Sequence, residues 1–366
     1  MPNPIPVYEP SKLMDSELFW RDHQAFLQNR GYMLRPRYHP HWVPSWTGKR
    51  KKPIKFEDYR PVTRARKVLD ATRTCDKMKV IIKRVKTNTE EIPIGSYFSS
   101  DLLRKDPRNH CVHILDVIPL PDNDDEALIV MPFLRPFYNP PFEFKTEYIE
   151  AAKQLLEGLM FMHEHNVSHM DACFLNIMMD TSQLIPRGFH FANQNTHDGV
   201  NRGKFEFKYR RDVAPVPYYF IDFGLSSRFP SSEKRDYFTG RVGQDRTVPE
   251  FSDTIAWDPY KVDIYQLGGV LARIESDYVG LDFLRPLVES MRQTDPSQRP
   301  DASEALEHFL KLIGTLSPDD LDTEVWRHID LYMGEPNKWR RRPVTVLKPR
   351  PLKSLLNKLI GHLGKT

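Results

Sequence analysis

Apolar positions along this chain repeat with two periods. Across residues 148–165 they recur every three to four residues, through Ile149, Ala152, Leu155, Leu156, Leu159 and Met160, the spacing of one buried helical face. Shorter apolar or β-branched runs read as strands at 67–71, 78–83, 111–118, 127–131 and 218–221. Polar turns at 73–77 and 121–125 separate some of them. An earlier helix is expected from Asp15-Ser16-Glu17, carrying Leu18, Phe19, Phe26 and Leu27 and stopping near Gly31. Another is expected over 91–98, where Glu91 precedes apolar residues at helical spacing. Thr87 or Thr89 is expected to cap it, and Pro93 is tolerated in a first turn. Residues 99–109 read as a loop.

Composition narrows this picture. With 366 residues, 40% of them hydrophobic and 11% aromatic, the chain folds and buries one two-lobed domain or two ordinary ones. It has no uncharged apolar run of about 18 residues, so no transmembrane segment is expected. The start, Met1-Pro-Asn-Pro-Ile-Pro, lacks the basic and apolar regions of a secretory signal. Cys75, Cys111 and Cys173 have no metal-ligand spacing and cannot all pair, which suits an intracellular compartment, cytoplasmic or nuclear.

Charge is uneven. The net +4 divides into +8 over residues 335–366, from nine Lys/Arg and one acid, and therefore −4 over the rest. In that tail Leu352, Leu355, Leu356, Leu359 and Leu363 line one helical face, and Arg340 to Arg342 form a basic cluster. Such a segment docks on its own domain, in a partner protein's groove or on an anionic membrane surface, or serves as a nuclear address. The mixed aromatic and basic stretch 38–52 reads as an arm whose Trp42 and Trp46 pack on the domain. Nucleic-acid contact is the weaker reading, and no specific nucleic acid is expected.

The chemistry concentrates after the long helix, in His169-Met170-Asp171-Ala172-Cys173-Phe174-Leu175-Asn176. Between helix and strand, such a loop fixes an acid and an amide toward one point. Phosphoryl transfer uses that pair: a carboxylate orients the attacking hydroxyl, and an amide oxygen helps to hold a metal ion. Downstream, the strand 218–221 delivers Asp222-Phe223-Gly224. Val248-Pro249-Glu250, Lys261-Val262-Asp263-Ile264-Tyr265-Gln266-Leu267-Gly268 and Asp295-Pro296-Ser297-Gln298-Arg299-Pro300 follow in order.

This ordered set resembles the eukaryotic protein kinases over roughly residues 66–313, and within them a divergent fungal kinase-like group. The resemblance implies an α+β, two-lobed fold with a small β-rich N-lobe and a larger, mostly helical C-lobe. It divides the chain into an N-terminal extension (1–60), a small lobe (61–134), a large lobe (135–315) with an insertion at 181–217, and a basic tail (316–366). It implies ATP and Mg²⁺ as cofactors and a protein substrate. Asp171 would orient the hydroxyl, Lys83 would hold the α- and β-phosphates, and Asn176 and Asp222 would hold the metal. Glu91, with Glu90 as the alternative, would pair with Lys83, and Arg299 with Glu250. Val68 and Ile81 would cap the adenine, Met178 would floor it, Met131 would guard the back pocket, and the backbone of Phe133 and Leu134 would bind its edge.

Several residues depart from the pattern. No glycine occurs between Gly48 and Gly95, where kinases place a phosphate-covering Gly-rich loop. Ile81 replaces a usual alanine, and Met170 replaces the arginine that reads an activation-segment phosphate. Cys173 and Leu175 stand where a cation is usual, a loss on the order of 2–4 kcal/mol of charge stabilisation. The insertion, with Arg202, Lys204, Lys208, Arg210 and Arg211, reads first as a solvated loop and second as a docking surface for acidic partners. Two function classes stand: a Ser/Thr-type, ATP-dependent protein kinase of reduced turnover, or a pseudokinase that binds nucleotide or acts as a scaffold. A small-molecule phosphotransferase would not need the later motifs together.

Overall fold

Apolar and β-branched runs pair side by side as a sheet, and the runs 69–71, 80–82 and 127–131 are buried on both faces. The computed structural model describes residues 9–61, 67–201, 205–231, 234 and 236–329. The basic segment 335–366, Arg202 and Lys204 lie outside the described residues. The chain divides into two units: Met1–Thr87, Ile114–Phe133 and Ile185–Glu206 form the first, and Asn88–His113, Leu134–Leu184 and Phe207–Thr366 the second. Among the described residues no helix is long and apolar enough to cross a membrane.

The first unit contains α1 (Asp15–Asp22), α2 (Gln24–Asn29), β1 (Tyr32–Leu34), β2 (Val68–Arg73), β3 (Lys79–Lys86), β4 (Asp116–Leu120) and β5 (Asn123–Pro132). The strands form an antiparallel sheet in the order β1-β2-β3-β5-β4. Successive side chains point to opposite faces. Leu69, Ala71, Val80, Ile82, Leu128 and Val130 therefore share a core with Trp20, Leu27, Leu34 and Tyr38 from the N-terminal segment. The N-terminal residues are thus integral to the unit: they supply both an edge strand and part of its core. The Trp-rich arm packs as expected. Trp42 Nε1 and Ser45 N both donate to Asp58 Oδ2 (2.9 Å each), and the fully buried Arg37 makes two bonds to Glu17 (2.7 and 2.9 Å).

The second unit contains α3 (Glu91–Phe98), β6 (Arg135–Pro136), α4 (Lys145–Glu164), β7 (Val167–Ser168), β8 (Ile177–Met179), α5 (Arg210–Val213) and β9 (Tyr218–Phe220). These are followed by β10 (Ser227–Arg228), β11 (Phe238–Gly240), β12 (Ser252–Trp257), α6 (Pro259–Asp277), β13 (Tyr278–Val279), α7 (Arg285–Met291), α8 (Ala302–Gly314), α9 (Pro318–Leu321) and β14 (Trp326–Arg327). The α4 stripe predicted by periodicity is buried through Ile149, Ala152, Leu155, Leu156 and Leu159. The sheet β6-β8-β9 lies beside it.

Four boundaries differ from expectation. α3, expected in the small lobe, groups with the second unit, and neither Thr87 nor Thr89 caps it; its N-cap is Glu90. The run 111–118 is not one strand: Cys111 bridges to Phe220, whereas Leu115 N–H donates to Val130 O and β4 begins at Asp116. Folded structure also continues past residue 315. Leu321 and Val325 are buried, Val325 N–H donates to Glu143 O, and β14 pairs with β13. Finally, among the described residues of the insertion, 189–191 are packed rather than solvated. Phe189 stacks on Phe133 (4.4 Å between ring centroids), Lys79 Nζ donates to Phe189 O (3.2 Å), His190 Nε2 lies 2.7 Å from Glu57 Oε1, and Phe191 packs against the first unit's core. Apolar side chains at 189 and 191 give this segment a surface to bury.

Candidate active site

The loop after β7 is shaped from α6. Met170 takes a left-handed backbone (φ 61°), and the surrounding donors converge on the carboxylate of Asp263. It accepts from His169 N (2.8 Å), Met170 N (2.7 Å) and Ser168 Oγ (2.8 Å), and His163 Nε2 lies 3.0 Å away. One turn further along α6, Gln266 accepts from Ala172 N (2.9 Å) and donates to Met170 O (3.3 Å). A buried carboxylate with this many donors fixes the loop backbone. His169 is fully buried. Its Nδ1 accepts from Asp171 N (3.3 Å) and its Nε2 donates to Ile221 O (3.1 Å), the pattern of a neutral ring. Burial accordingly lowers its pKa, against the pull of Asp263, Asp171 and Asp222.

Asp171 and Asn176 meet directly. Asn176 Nδ2 donates to Asp171 Oδ2 and to Asp171 O, each at 2.9 Å, which leaves the Asn176 carbonyl oxygen as its remaining side-chain acceptor. Ile221 N–H donates to Asn176 O (2.9 Å), tying the loop to the turn that carries Asp222. Asp222 is left-handed (φ 69°), and its Oδ1 accepts from Gly224 N (3.4 Å). A side chain at Gly224 would meet Asp222 Oδ1 at 3.2 Å and Glu91 Oε2 at 3.3 Å, so α3 and this turn bring two carboxylates to one point. Phe223 is buried beside Phe98 (5.9 Å) and His169 (5.4 Å).

The Asp171 carboxylate is also capped. Gln244 N donates to Oδ1 (2.8 Å) and Gln244 Nε2 to Oδ2 (3.2 Å). This close approach requires glycine at 243: its φ is +72°, and a Cβ there would lie 2.7 Å from Asp171 Oδ1. Met170, in place of an arginine, is buried in an apolar cluster with Val248, Phe251, Trp257, Val262 and Tyr265. Cys173 is buried, and burial followed by the neighbouring Asp171 pushes its thiol pKa up; Leu175 is exposed. The expected pairing of Glu250 with Arg299 forms through two bonds (2.6 and 2.8 Å).

The remaining predicted residues belong to the first unit, except Met178 on β8 and Leu134. Val68 pairs with Lys83, Ile81 with Met131 and Lys83 with Ile129, so alternation puts Val68, Ile81, Lys83 and Met131 on one sheet face. Asp70 shares that face, opposite Ile81, and is engaged by Arg35 Nε (2.9 Å). Arg35 also bonds Glu57 (3.0 Å), which holds His190. Phe133 carries Phe189 on its ring. The motif 261–268 contains Gln266 without marking its role, and sequence spacing gave no sign of Gln244, nor of Arg273 and Arg292, which line a hollow of about 370 Å³ beside Cys173 and Phe174. Each reaches the loop through the fold alone.

Among the described residues, no three or more His, Cys, Asp or Glu side chains group as a metal site. Asn176 and Asp222 are hard oxygen donors, which suits Mg²⁺: it takes one or two protein ligands and keeps its other positions for water and phosphate. No family model matches this chain, and no curated protein matches it.

Proposed function

We propose that this chain is a divergent protein kinase that transfers the γ-phosphate of ATP to Ser/Thr hydroxyls of a protein substrate. The two units are read as the small and large lobes of a kinase-like fold, a reading supported by the sheet order β1-β2-β3-β5-β4 and the helical second unit. The observation that carries the function is the Asp171–Asn176 pair, held by Asp263 and Gln266 and tied through Ile221 to Asp222.

In this reading Asp171 accepts the substrate hydroxyl proton. The hydroxyl oxygen bonds to the γ-phosphorus as the bond to the β–γ bridging oxygen breaks and ADP leaves. Lys83 steadies the α- and β-phosphates. Asn176 and Asp222 would hold Mg²⁺, which when bound would supply neutralisation of phosphate charge. Glu91 orients the site from α3.

A second reading, a pseudokinase that serves as a nucleotide-binding or scaffold module, is favoured by one cluster. Arg35, Asp70, Glu57 and His190 already occupy part of the sheet face expected to receive the adenine. Phosphorylation with labelled ATP and Mg²⁺ separates the two. Transfer by the wild-type chain that is lost in Asp171→Asn and in Asp222→Ala supports the kinase. Transfer that persists in both variants refutes the residue assignment. Nucleotide binding without transfer selects the second reading.

A further inference from the structure

Beside the catalytic loop the second unit contains the hollow of about 370 Å³ already mentioned, lined by Cys173, Phe174, Gln244, Asp245, Arg273 and Arg292 among others. Two guanidinium groups enter it from separate elements. Arg292 is fixed: its Nη2 donates to Tyr265 Oη (3.0 Å), and its guanidinium lies 4.4 Å from the centre of that ring. Gly269 makes room for it, because a Cβ there would lie 2.5 Å from Arg292 Nη1 and 3.4 Å from Asp245 Oδ2. The same point therefore brings Arg292 and Asp245 close, and Asp245 Oδ1 is further engaged by Thr247 N (2.8 Å) and Oγ1 (2.7 Å). Arg273 is different. It is exposed on α6, with its guanidinium 3.9 Å from the centre of the Phe174 ring. A guanidinium held over an aromatic ring retains N–H donors for an anion.

Two arginines against one engaged carboxylate leave this hollow with a positive balance. Gln244, which caps Asp171, forms part of its wall, so an occupant lies alongside the carboxylate proposed to accept the substrate hydroxyl proton.

We propose that this hollow is a substrate-specificity subsite for an anionic side chain, with Arg273 as the principal contact. The inference rests on the kinase reading for its role, while the binding itself does not depend on turnover. The chemistry is that of a carboxylate or a phosphate, supplied by Asp/Glu or by a phosphorylated Ser near the acceptor hydroxyl in the substrate chain. Bidentate contact with a guanidinium suits both.

The test uses the full chain and serine peptides that carry, at single positions from three before to three after the acceptor, a neutral residue, aspartate, phosphoserine or lysine. Binding is read by fluorescence anisotropy, and transfer by labelled ATP. An anionic residue at one or two positions is expected to improve binding and kcat/KM about tenfold over the neutral peptide, an advantage that shrinks at high salt. Arg273→Glu is expected to abolish that gain and favour lysine at the same positions; the exposed site makes loss of folding unexpected, and a thermal melt checks it. The ratio between aspartate and phosphoserine peptides identifies the source of the anion. Neutral peptides bound and phosphorylated as well as anionic ones overturn the subsite while leaving the kinase reading intact. An anionic preference in binding that Arg273→Glu abolishes, with no transfer to any peptide, retains the subsite and removes the kinase reading. An anionic preference unchanged in Arg273→Glu overturns the assignment to Arg273.

Discussion

The cap on Asp171 makes a quantitative prediction. In the proposed kinase reading a substrate hydroxyl needs the carboxylate that Gln244 engages with both its backbone and side-chain N–H groups. In Gln244→Ala the side-chain bond is lost. A hydrogen bond to a charged group contributes about 1.5–3 kcal/mol, and this one, at 3.2 Å from an exposed residue, belongs at the low end. About 1.5 kcal/mol is roughly a tenfold change in the ratio of capped to open chains. Gly243→Ala acts more strongly. An alanine held at φ +72° costs roughly 1–2 kcal/mol, and its Cβ would lie 2.7 Å from Asp171 Oδ1. The segment must then retreat and give up the 2.8 Å backbone bond as well. The combined effect is about 3–5 kcal/mol on the capped state, a factor of a hundred or more.

The rate gain is bounded by the fraction of wild-type chains that are capped, because an open population cannot exceed one. The assay is initial-rate transfer to a serine peptide well below its KM, in wild type, Gln244→Ala and Gly243→Ala, each with and without Asp171→Asn. Both cap variants are expected to be faster than wild type, Gly243→Ala the more so, and Asp171→Asn to silence all three. Their melting temperatures should fall by a few degrees, since a native contact is lost. If both variants fold and neither is faster than an active wild type, Gln244 is a support for Asp171 and the capping argument fails.

Two further outcomes follow from the same unit. Asp263→Asn leaves a donor facing one of the N–H groups of the loop after β7 and removes the charge from the remaining bonds, so unfolding in urea should show a loss of about 3–5 kcal/mol; a loss under about 1 kcal/mol would mean that the loop is held elsewhere. His110 is buried with Nδ1 3.0 Å from Tyr218 O, and burial lowers its pKa to about 4; Lys153 adds to this, and Glu157, 4.0 Å away, is at the limit of ion-pair reach. Because the folded value lies below the unfolded one, its contribution is complete above about pH 6.5 and is lost as pH falls toward 4, on the order of 3 kcal/mol. His110→Gln should flatten stability over that window, and an unchanged pH profile would count against a neutral buried ring.

What the sequence made legible follows from the range of each interaction. The α4 stripe, the β3 run ending near Lys83 and the five-residue spacing of Asp171 and Asn176 are local, and each is present in the structure as a buried face, a strand and a hydrogen bond. The residues that shape the loop are not local. Asp263 lies 93 positions from Met170 and Gln244 lies 73 from Asp171, so no period or spacing connects them; the resemblance brought in the motif of Asp263 but not its bonds to the loop, and nothing brought in Gln244. The same reasoning explains the insertion. Its basic residues suggested solvent, but Phe189, His190 and Phe191 carry its packing, and their partners Phe133 and Glu57 lie far away in sequence.

β1 was hidden for a related reason. Three residues, Tyr32–Leu34, are too few for a periodic signal, and their partners in β2 come after a long connection. That connection, rather than a short glycine turn, joins the two strands where the resemblance expects phosphates to be covered. Arg35 and Glu57 lie within it, and both are committed to the ion-pair cluster around Asp70 and His190. The missing glycines and the polar cluster are thus two aspects of one substitution: a connection that anchors by charge needs side chains where a phosphate-hugging loop needs bare backbone. Any nucleotide bound at Lys83 is therefore covered by side chains of this connection or left open to water, and the affinity of the chain for ATP against that of an Arg35→Ala variant is the measurement in which that difference appears.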